Sequence, residues 1–242
     1  MKLFKKLLAG AALVAAGFGS AQAVTVDGLT WDPSAPTDFS GQAVNMRQFI
    51  NATTGELTGF GIVTAFNGTQ QATFCPGCEL TFTFSGFMPT GGTLIPGVGQ
   101  TLNYTGGTVS FYVSGIDITN PADYNALTFA NTSNGALFLQ GTNPGIFLGS
   151  VDQTGSVLAG IGFLNVTGGD AASNFDTNTQ AGGADLRFTT SLSFPHGPGF
   201  NDMSGTGNLF GNSIPEPGSI ALLGLALAGL GLSQRNRKSA AK

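Results

Sequence analysis

Leu80-Thr81-Phe82-Thr83-Phe84-Ser85 alternates apolar and polar side chains with a period of two. Successive side chains of an extended chain point to opposite faces. Leu80, Phe82 and Phe84 therefore share one face, and Thr81, Thr83 and Ser85 the other, which is the signature of a half-buried strand. Leu186-Arg187-Phe188-Thr189-Thr190-Ser191-Leu192-Ser193-Phe194 repeats the pattern, as does Val109-Ser110-Phe111-Tyr112-Val113. Residues 60–66, 136–140 and 157–166 are further strand candidates. Gly91-Gly92, Gly106-Gly107, Asn134-Gly135, Gly168-Gly169 and Gly182-Gly183 punctuate them with turn chemistry. Only residues 43–52 hint at a helical turn. The expected fold is all-β, a β-sandwich-like ectodomain, because each strand has one face to bury and no helices are available to cover it.

The composition agrees. Charged residues make up 9% of the 242-residue chain, against ~25% in ordinary soluble domains. Glycine occurs 38 times and phenylalanine 20 times. So many rings argue against disorder and point to short strands whose phenyl groups supply the core. Of the nine basic residues, only Arg47 and Arg187 lie between the chain's two ends, whereas acids run from Asp27 to Asp202. Such an acidic middle lacks the basic stripe that phosphate neutralisation needs, so nucleic acid is not an expected partner.

Both ends read as targeting segments. Residues 1–6 are basic, residues 7–18 are apolar, and Ala21-Gln22-Ala23 sets small residues before Val24. This three-part order is that of a secretory signal peptide, residues 1–23, cut by signal peptidase. At the other end Pro215-Glu216-Pro217 precedes an apolar run, 219–232, and then Arg235, Arg237 and Lys238. As a transmembrane helix that run would extend ~21 Å, short of a ~30 Å hydrocarbon core and suited to a temporary anchor. The basic cluster should act as a cytoplasmic stop, leaving the β-rich domain, 24–212, outside.

Pro-Glu-Pro, a short Leu/Ala/Gly helix and a basic terminus, over residues 213–238, resemble the PEP-CTERM sorting signal of Gram-negative bacteria. That resemblance implies recognition by exosortase, an integral-membrane, transpeptidase-like cysteine enzyme that processes its substrates near the tripeptide. It implies Sec-dependent export, a transient stay in the inner membrane, and delivery to the cell surface or the medium. The stretch from Leu57 to Ser85 also resembles a recurrent ectodomain of such sorted proteins, with no activity attached to it.

Within the domain, Cys75 and Cys78 are the only cysteines. In an oxidising envelope they are expected to form a local disulfide closing a turn before the Leu80 strand. A redox dithiol would need the first cysteine on a helix N-terminus, and a metal site about four ligands. Asp170, Asn174, Asp176 and Asn178 place oxygens at alternate positions, a spacing found in calcium loops, without the glycine and bidentate Glu of an EF-hand. A polar loop between strands is the commoner explanation for such a stretch. His196, between Pro195 and Gly197, has no recognisable nucleophile or orienting acid beside it.

No catalytic motif and no cofactor is expected. The reading is a non-enzymatic envelope or matrix protein, sorted by exosortase and associated with exopolysaccharide or biofilm. The alternative is a carbohydrate- or calcium-binding β-sandwich module.

Overall fold

A computed structural model describes residues 23–35, 42–91, 98–151, 158–195 and 202–214. Residues 1–22 of the expected signal peptide, Pro215-Glu216-Pro217, the apolar run 219–232, the basic cluster 235–238 and His196 lie outside the described residues.

The described residues form the strands β1 Val24–Val26, β2 Leu29–Trp31, β3 Gln42–Ile50, β4 Leu57–Val63, β5 Ala65–Phe66, β6 Thr69–Gln70, β7 Cys78–Pro89, β8 Gln100–Gly115, β9 Ala136–Thr142, β10 Ile146–Val151, β11 Leu158–Gly168, β12 Leu186–Pro195 and β13 Asp202–Gly211. Three single-turn helices lie between them, α1 Gln71–Phe74, α2 Phe129–Thr132 and α3 Ala172–Phe175. The helical hint at 43–52 is wrong, since β3 occupies that stretch. Its inner face carries Gln48 between Met46 and Ile50, and its outer face carries Phe49, so the apolar alternation is blurred there.

The strands make a barrel rather than a sandwich. β3, β4, β7 and β8 follow one another as antiparallel neighbours, and β11, β12 and β13 do the same. β8 is long enough to pair with β10 over Gln100–Thr105 and with β9 over Thr108–Val113, and both pair onward with β11. β9 and β10 thus act as one strand broken at Pro144, which has no N–H to give a ladder; the Asn143 side chain bridges the gap by bonding both N–H and C=O of Gly145. β13 then pairs with β3 from Asp202↔Phe49 to Asn208↔Gln42, which closes the circle. Period-two alternation gives every strand one buried face but does not say whether that face meets a second sheet or the far wall of its own. Here it meets the far wall.

Phenylalanines fill the interior. Phe87 and Phe147 meet edge to face at 5.5 Å, Phe147 lies 6.5 Å from Phe188, and Phe188 lies 6.1 Å from Phe82, which packs on Phe111 at 5.6 Å. Inward-facing glycines make room for these rings. A Cβ on Gly61 would stand 2.6 Å from the Phe82 ring, and one on Gly160 2.6 Å from Phe147. Two small cavities, about 20 Å³ and about 10 Å³, lie around Gln48 and Thr190. Each has room for about one water.

The outer wall is mixed, with Leu148 and Ile161 exposed and opposite each other beside a polar row. One row runs Thr101–Ser150–Ala159–Ser191–Thr206–Asn45 across six strands. Among the described residues, no helix is long and apolar enough to cross a membrane. A second, smaller cluster of Phe60, Ile62, Ile118 and Leu127 sits outside the wall, where the segment after β8 folds back over β4 and β7.

Candidate functional site

The end of the barrel where the domain begins and ends is built first from Val24-Thr25-Val26-Asp27-Gly28-Leu29-Thr30-Trp31. Asp27 and Gly28 both take positive φ, 53° and 87°, as the tight turn of a two-residue hairpin requires. The β1–β2 hairpin lays Val24, Leu29 and Trp31 into the core as a plug. Trp31 packs against Phe175 at 5.3 Å, Phe138 at 6.0 Å and Phe66 at 6.1 Å. Its indole N–H donates to Ser213 Oγ at 2.9 Å, and the Ile214 N–H donates to the Asn174 carbonyl at 2.7 Å. The first strand and the last described residues are thereby tied to one spot.

Cys75 and Cys78 are disulfide-bonded, with Cα atoms 5.1 Å apart. Cys75 caps the C-terminal end of α1, where the helix dipole is negative and would not favour a thiolate. Cys75 is buried in the core beneath the hairpin, and Cys78 Sγ approaches the Gly28 carbonyl at 3.9 Å. The bridge therefore braces the plug.

The four oxygen-bearing residues of the 170–178 stretch have separate partners. Asn174 is buried, and its carbonyl holds Ile214. Asn178 Nδ2 donates to Asp176 Oδ1 at 3.4 Å, while Asp170 lies beside Asp27. Partial burial and the neighbouring Asp170 carboxylate raise the Asp27 carboxyl above its ordinary range. Asp185 organises this loop instead, accepting the N–H groups of Thr177 at 2.7 Å, Asn178 at 2.6 Å and Val166 at 2.8 Å. Among the described residues, no group of three or more His, Cys, Asp or Glu side chains is placed to hold a metal ion.

Sequence reasoning passed over Trp31, Ser213 and the hairpin. The signal was present, since Asp-Gly flanked by alternating apolar residues marks a hairpin, and the chain's single tryptophan ends it.

Fold and end together define a class: a closed all-β barrel, braced by a disulfide, whose C-terminal segment leaves beside its first strand. A family model described as PEP-CTERM protein-sorting motif matches residues 213–238. That motif implies export to the envelope or surface of a Gram-negative cell, with exosortase as the processing partner. No curated protein and no solved structure matches the chain.

Proposed function

We propose that this protein is a non-enzymatic component of the cell surface or its matrix. Signal peptidase removes residues 1–23, exosortase processes the tail at Pro215-Glu216-Pro217, and the barrel is delivered outside, where it associates with exopolysaccharide. The observation that carries this reading is the sorting motif, which begins where the barrel ends. The ring-filled interior of the described residues suits a durable structural module better than a catalyst that must enclose its substrate.

Immunoblots of membrane and medium fractions test it, in cells with and without exosortase. The tail should be lost only when the enzyme is present, and replacing Pro215, Glu216 and Pro217 by alanine should leave a full-length membrane-bound precursor. A tail retained in cells with active exosortase would make it only an anchor. N-terminal sequencing of the exported protein should begin at Val24.

A further inference from the structure

The sorting motif and the folded domain overlap. The matched segment starts at Ser213, yet Ser213 accepts the Trp31 indole hydrogen bond and Ile214 is held by Asn174. No spacer therefore separates barrel from tripeptide. From Ile214 to Pro217 the chain reaches at most ~10 Å, at ~3.3–3.6 Å per residue. An enzyme that grips the tripeptide cannot avoid the end of the barrel.

We propose that this end of the barrel is a contact surface for the membrane-embedded processing enzyme. The folded domain is thus part of what the enzyme recognises. This rests on the sorting role proposed above. The chemistry of the surface indicates its partner. The exposed Ile214 marks the exit, and the exposed carboxylates Asp27, Asp32, Asp170 and Asp176 stand on the same end. Of the two arginines among the described residues, Arg47 is bonded to Asp202 toward the opposite end, and Arg187, one residue into β12, is turned onto Phe210 on the side wall, so carboxylates outnumber cations at this end. An anionic lipid surface would repel this end, whereas a protein rim bearing Lys or Arg would complement it.

The experiment follows processing of the full-length chain in exosortase-containing cells by pulse-chase. One variant carries a twelve-residue Gly/Ser spacer between Ile214 and Pro215. A second carries Asp27→Asn, Asp170→Asn and Asp176→Asn, all at exposed positions. The spacer lowers the effective concentration of the barrel end at the enzyme, and processing should slow by up to about tenfold. The charge variant should slow several-fold, with an unchanged circular dichroism spectrum. Processing of the spacer variant at or above the parental rate would mean the barrel merely obstructs the enzyme, and would overturn the proposal. An unchanged or faster charge variant would overturn it too, the faster result pointing to relief of lipid repulsion. A parental chain that is not processed at all refutes the sorting role itself.

Discussion

Gly61 and Phe82 oppose each other in the β4–β7 register, and the ring occupies the space a Cβ would need. Gly61→Ala should cost ~1–3 kcal/mol by overpacking. Gly115→Ala, where a Cβ would meet nothing within 4 Å, should stay within about 0.5 kcal/mol of the parent. Urea denaturation of residues 24–214 compares them, and equal midpoints would mean the interior yields to the added methyl. Glu79 offers a second test at this scale. Its carboxylate is buried on the outside of β7, accepting from Ile118 N at 3.0 Å and Ser114 Oγ at 3.4 Å. Burial raises its pKa, and the hydrogen bonds from Ile118, Asp117 and Ser114 only partly oppose this. The folded state thus holds this proton more tightly than the unfolded state does. Stability should fall as pH rises from below the ordinary value of 4.5 through the raised folded value. Glu79→Gln should flatten that fall, as read from denaturation midpoints between pH 4 and pH 7. Parallel pH profiles would show that the carboxyl is not desolvated.

Elements meet at two joints, the disulfide beneath the hairpin and the seam between β3 and β13. Closing so short a loop contributes about 2 kcal/mol on chain-entropy grounds. A Cys75→Ala, Cys78→Ala domain should therefore still fold, melting a few degrees lower. A melt with no cooperative transition would mean the bridge is needed to seat the plug. At the seam, Arg47 Nε donates to Asp202 Oδ1 at 2.8 Å and Nη2 to Oδ2 at 2.6 Å, across the register that closes the barrel. Asp202→Asn should cost ~1 kcal/mol, and raising the salt concentration should shrink the difference from the parent. These joints also divide what was legible from what was not. The strands around Leu80, Val109 and Leu186 stood out because alternation is local. Closure did not, because Asp202 meets Phe49 across most of the chain, and no residue near either announces the other. The cysteine pair was legible from its spacing. Its bracing of the hairpin was not, since that requires knowing that Gly28 comes to rest beside Cys78.

For the whole molecule, closure leaves the main sheet without a free edge. A chain this rich in Phe, Val and Thr would otherwise offer unpaired strands to its neighbours on a crowded surface. The wall also holds the domain's two arginines, Arg47 within β3 and Arg187 within β12, each on a strand paired along both sides. Between residues 7 and 234 the sequence has no lysine and no other arginine. Trypsin-like proteases released by competing organisms should therefore find no accessible bond in the folded barrel, and overnight digestion should leave one intact band. The same scarcity acts after denaturation, when cleavage yields one fragment running from Gln48 to Arg187. That fragment is too long for routine peptide mass spectrometry, so surveys of cell-surface material based on trypsin will undercount this protein even where it is abundant.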